Sequence, residues 1–149
     1  MSLPIDERVT LVEILELTGT LEEFTEAARA AVRRLEAEGI RSLLSVQFYS
    51  QPESTEVGAV LIFADPGEMI RHIRMITGWE EFHRLITTVK PIDVRVHGKL
   101  DPEVEKWLGQ MKIVPKTFAH HVAGFARGWE ISPFAPSSSG TPGAEPRTQ

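Results

Sequence analysis

His72, Ile76, Trp79 and His83 follow an i, i+4, i+7, i+11 spacing, which aligns them on one side of a continuous helix. Two imidazoles beside an indole can hold a planar aromatic molecule and abstract a phenolic or enolic proton, because histidine titrates near neutrality. Gly78 interrupts this run and offsets its two halves. The competing reading is a core Trp79 flanked by two hydrogen-bonded histidines at a helix–sheet border. Glu13 lies amid the apolar residues of Val9-Thr-Leu-Val-Glu-Ile-Leu-Glu-Leu17, where a carboxylate needs a cationic partner or a raised pKa. Arg95 is that partner if the strands carrying the two residues adjoin, and a structural ion pair is then the simpler role. Asp93, Arg95 and His97 alternate with Ile92, Val94 and Val96, so they share one strand face, either lining a cavity or solvated. Ser45, Gln47 and Tyr49 also face one way, as the polar wall of a pocket or as part of a wet dimer seam.

Other chemistries are disfavoured. The chain has no cysteine, which excludes disulfides, thiolate metal sites and a cysteine nucleophile. His120 and His121 adjoin and would point to opposite faces of a strand; with no HExxH and no spaced His–carboxylate set, no metal is expected. No glycine-rich phosphate loop, nucleophile elbow or dinucleotide fingerprint occurs, so no bound cofactor is expected. A net charge of −5 argues against a nucleic-acid partner. No apolar run approaches a membrane span, and the acidic N-terminus lacks a signal-peptide pattern, which makes a cytoplasmic protein the expectation.

The elements that would position these residues can be read from capping and periodicity. Val9–Leu17 and Val57–Ala64 are apolar on both faces. Such strands must be covered twice, and the helices of so small a domain cover one face, so a homodimer is expected. Thr20-Leu-Glu-Glu23 is a capping box opening a helix whose apolar residues recur from Leu21 to Leu35, with Gly39 as its left-handed stop. Strand two runs from Arg41 to Ser50, with Leu44, Val46 and Phe48 on one face, and forms a hairpin with strand three through Gln51–Thr55. Asp65-Pro66 caps the next helix, Thr77-Gly-Trp-Glu80 restarts it as a second capping box through Val89, and Lys90-Pro91 ends it before the strand Ile92–His97. Asp101-Pro102 opens a further helix, and Phe118–Phe125 is a candidate fifth strand. Ten of the eighteen residues from Ser132 to Gln149 are Pro, Ser or Gly, so a domain over 1–131 with a disordered tail over 132–149 is expected.

The order βαββαβ is the ferredoxin-like arrangement of an α+β fold. Together with Leu61-Ile-Phe-Ala-Asp-Pro66, Gly78-Trp-Glu-Glu-Phe-His83 and Ile92-Asp-Val-Arg-Val-His97, it resembles the dimeric α+β barrel superfamily over Val9 to His97. The resemblance is to its antibiotic-biosynthesis-monooxygenase and stress-responsive branches. It implies two ferredoxin-like sheets packed face to face across a dimer axis, with a ligand pocket between sheet and helices in each subunit. Haem-degrading members share an asparagine, tryptophan and histidine set; this chain has no asparagine, so that route is disfavoured.

Two functions fit. The first is an enzyme acting on a small aromatic or polyketide-like molecule without a cofactor, by oxygenation or proton-transfer cyclisation. His72 or His83 would serve as base, and Trp79, Tyr49, Gln47, Glu13 and Arg95 would contact substrate. The second is a non-catalytic dimeric ligand-binding or stress-associated protein using the same pocket.

Overall fold

The covered face of the sheet is built from alternate residues of three strands that each pair on both edges. A computed structural model describes residues 7–127 and divides the chain into one unit, Asp6–His121, and a second, Met1–Ile5 with Val122–Gln149. The first unit runs β1 (Val9–Leu17), α1 (Leu21–Glu38), β2 (Leu43–Ser50), β3 (Glu56–Phe63), a single 3₁₀ turn (Pro66–Glu68), α2 (Met69–Ile76), α3 (Glu80–Ile86), β4 (Val89–His97), α4 (Pro102–Gln110) and β5 (Lys116–Phe118). The sheet order is β2-β3-β1-β4-β5, with β5 parallel to β4 and every other pair antiparallel. The first four strands thus have ferredoxin-like connectivity, as expected. Among the described residues no helix is long and apolar enough to cross a membrane. The expected tail over 132–149 lies outside the described residues.

The helices pack in two groups, each with its own apolar cluster. Leu15 and Val57 meet Phe24, Ala27, Ala28 and Ala31 of α1 and Leu85 of α3. Val9, Leu11, Phe63 and Val96 meet Met69 and Ile73 of α2 and Val104 and Leu108 of α4. The opposite face carries Val12 and Ile14 of β1 and Val60 and Ile62 of β3, in register (Val12↔Val60, Thr10↔Ile62) and none fully buried.

Local detail departs from expectation in five places. The Thr20–Glu23 capping box forms in full, but Gly39 is extended (φ −72°, ψ 168°) and not left-handed. Glycine is needed there because a Cβ would collide with the Leu35 carbonyl oxygen. β2 begins at Leu43, and a bulge between Leu43 and Ser45 turns Leu43 toward the core and leaves Leu44 exposed. Thr77 does not cap α3; its hydroxyl donates back to the Arg74 carbonyl, and Trp79 takes the N-cap position without a side-chain bond. α3 stops at Ile86, where Thr87 and Thr88 donate to the carbonyls of Arg84 and Leu85, and β4 starts at Val89. Pro91 therefore lies inside a strand. It is tolerated because β5 pairs only with Arg95–His97, leaving that end of β4 an edge beside a register shift. The fifth strand is confined to Lys116–Phe118, with no strand beyond it among the described residues.

Candidate functional site

Glu13 points to the helix-covered side of the sheet. Strand alternation puts it on the face of Leu11 and Leu15, and these two leucines belong to different apolar clusters, so Glu13 occupies the seam between them. Across the sheet it stands in one row, Val94–Glu13–Ala59–Phe48, drawn from β4, β1, β3 and β2. Ala59 presents only a methyl group beside the carboxylate. Glu13 has no hydrogen-bond or ionic partner among the described residues, and the residue keeps part of its solvent exposure. Burial pushes its pKa from 4.5 up to about 7. The expected pair with Arg95 does not form. Arg95 opposes Val12 in the ladder, which sets it on the other face, and its Nε donates to Asp93 at 2.9 Å.

His72 is buried on α2, its ring edge-on to Phe63 with centroids 5.1 Å apart. Nδ1 is sealed from solvent without a partner, and burial lowers the pKa from 6.5 to about 4, so the ring is neutral at neutral pH. Phe63 lies four residues along β3 from Ala59, so the strand positions under His72 and beside Glu13 are roughly 13 Å apart. Trp79 is buried elsewhere, with the Arg34 guanidinium 4.4 Å from its ring centre. Arg34 also donates to Glu81 at 2.9 Å and to Glu38 at 3.2 Å, which ties α1 to α3. His83 is exposed, its Nε2 lying 2.6 Å from the Thr77 carbonyl oxygen. The helical alignment of His72, Trp79 and His83 is therefore not realised. Trp79 is extended (φ −94°, ψ 136°), so α3 starts in a new register.

Tyr49 and Gln47 are exposed on edge strand β2. Both border a groove of about 400 Å³ between α1 and β2, whose walls include Phe24, Val32, Val46 and Phe48 and whose helix side carries Arg29 and Arg33. Sequence reasoning named Gln47 and Tyr49 as the polar wall of a pocket but missed the helix side of this groove; the Arg29–Arg33 spacing, one helical turn on α1, was the available signal. A second groove of about 410 Å³ lies between α2 and α4, lined in part by Ile73 and Trp107, with Arg74 and Glu103 of its lining joined by a 2.6 Å ion pair. On the open face His97 stacks on Phe118 at 5.2 Å. Among the described residues no three His, Asp or Glu side chains are placed to hold a metal ion. The site can thus offer a partnerless carboxylate that titrates near neutrality, in a largely apolar setting.

No family model matches the sequence, and neither does any curated protein. Solved structures do match. MupZ from Pseudomonas fluorescens superposes with a TM-score of 0.66 at 18% identity, covering 83% of this chain and 92% of its own. SnoaB from Streptomyces nogalater, a cofactor-independent oxygenase, superposes with a TM-score of 0.54 at 9% identity, covering 64% of this chain and 95% of its own. With its β2-β3-β1-β4 core, the chain has the same ferredoxin-like α+β fold as these neighbours.

Proposed function

We propose that the protein acts on a small aromatic or polyketide-like molecule without a bound cofactor, in the space between sheet and helices, with Glu13 as general base. The observation that carries this reading is the Glu13 carboxylate, partnerless at the seam of two apolar clusters and shifted to about 7. A base is most effective when its pKa lies near the working pH. In this reading Glu13 takes the role first expected of His72 or His83. His83 is exposed and engaged by Thr77, and His72 packs on Phe63 with Nδ1 sealed. Removal of a proton from an acidic ring CH₂ by Glu13 gives a stabilised carbanion. For an oxygenase, that carbanion combines with dioxygen, and loss of water leaves a ring carbonyl: CH₂ and O₂ become C=O and H₂O. The likeness to a cofactor-independent oxygenase supports this direction.

We infer likewise that two copies pair through their open sheet faces, since Val12, Ile14, Val60 and Ile62 would otherwise stay partly wet. Burying such surface is favourable by about 25 cal/mol per Å². A cytoplasmic location belongs to the same proposal.

The test is oxygen uptake with a hydroxylated anthrone, with no metal or cofactor added. Turnover should rise with pH to a plateau above about 7 and be lost in Glu13→Gln. Equal turnover by Glu13→Gln and wild type would place the base elsewhere. Tight binding without turnover would favour the non-catalytic ligand-binding alternative.

A further inference from the structure

We propose that the groove between α1 and β2 receives an organic carboxylate with a flat apolar body, its anionic end held by Arg29 and Arg33. Thr25, Ala28, Arg29, Val32 and Arg33 line the groove from α1, an i, i+3, i+4, i+7, i+8 set that defines a single helix face. Phe24 and Phe48 meet edge to face at 5.8 Å and, with Val32 and Val46, supply apolar walls. A volume of about 400 Å³ is in the range of small-molecule sites.

The charge at the mouth argues for an anion. Arg29 and Arg33 are exposed and form no ion pair among the described residues, although Glu26 and Glu36 each lie three residues away on the same helix. The adjacent Arg34, by contrast, is fully occupied by Glu38 and Glu81. Like charges one turn apart destabilise a helix, and a bound carboxylate would relieve that repulsion. Such a pair of unengaged arginines, in a chain of net charge −5, beside an apolar groove, is complementary to an amphipathic acid.

One wall of the groove lies on the Glu13 side of the sheet. Phe48 in its wall is the β2 member of the row that continues through Ala59 to Glu13. Two interstrand steps make that distance roughly 10 Å. The preference for a carboxylate stands on the groove itself and does not depend on the general-base reading.

The experiment uses the full chain and two fluorescent probes of one shape, pyrenebutanoate and neutral pyrenebutanol. Wild type should bind the carboxylate at least about tenfold more tightly at low salt, the preference shrinking as salt is added. The Arg29→Gln/Arg33→Gln double variant should lose the preference and keep its affinity for pyrenebutanol. Val32→Trp, which fills the groove, should weaken both probes. Equal affinities in wild type, a preference that survives in the double variant, or probe binding untouched by Val32→Trp would each overturn the assignment. Glu13→Gln separates the two proposals: a retained carboxylate preference supports the groove even where the anthrone assay has shown Glu13 to be dispensable.

Discussion

Glu13 and Ala59 are direct partners in the β1–β3 ladder, a carboxylate facing a methyl group on the covered side of the sheet. The methyl offers no donor, and the folded state holds the Glu13 proton up to about 7, whereas the unfolded chain releases it near 4.5. Folded protein therefore binds more protons across that interval, and stability falls as pH rises through it.

Replacing Glu13 with glutamine should remove this penalty. At about pH 8 the variant is expected to be more stable than wild type by about 2–3 kcal/mol, the difference vanishing below the unfolded carboxylate pKa. Urea unfolding at several pH values measures it. A variant less stable than wild type at about pH 8 would mean that the ionised carboxylate has a stabilising partner.

His72 should give the opposite slope. Its folded pKa is lowered to about 4 from 6.5, so the unfolded chain binds more protons between those values and stability falls as pH drops through them. His72→Phe should resist acid better than wild type, by up to about 3 kcal/mol near the lower end. Between 4.5 and 6.5 the Glu13 and His72 slopes oppose each other, so only the single variants reveal either one.

Two glycines should respond in opposite senses. Gly39→Ala forces a Cβ onto the Leu35 carbonyl and is expected to cost about 1–3 kcal/mol. Gly109, near the end of α4 with open space around it, should gain about 0.5–1 kcal/mol on change to alanine. Thermal unfolding of the two variants, side by side, checks both.

Light scattering at micromolar concentration should report about twice the chain mass, as two paired sheets require. Ile62→Lys, on the open face opposite Thr10, should yield a monomer with native helix content. A monomeric wild type would remove the proposed dimer.

Much of this fold is readable locally. Thr20, Asp65 and Asp101 each accept a backbone N–H at a helix start, and such caps depend on residues within one turn. Strand alternation alone likewise groups Glu13 with Leu11 and Leu15 on one face. What escaped depends on distant chain. The bulge that turns Leu43 inward is fixed by pairing with β3, and Pro91 fits a strand only because β5 stops short of it. The separation of His72 from His83 turns on the backbone at Trp79, and neither residue's type encodes that. The Glu13–Arg95 pair failed for a parity reason: Arg95 opposes Val12, one residue from Glu13, and one residue changes the face.

The parallel pairing of β5 with β4 has a bearing on self-association. With Arg95–His97 engaged by Lys116–Phe118, unpaired strand edge among the described residues is left along β2, along the outer side of the three-residue β5 and at the Pro91 end of β4. A proline supplies no N–H to an incoming strand, and the β2 edge begins with a bulge. With β5 only three residues long, these edges disfavour the edge-to-edge growth that seeds aggregates. In the proposed dimer, self-association is thereby directed to the open sheet face and away from the strand edges.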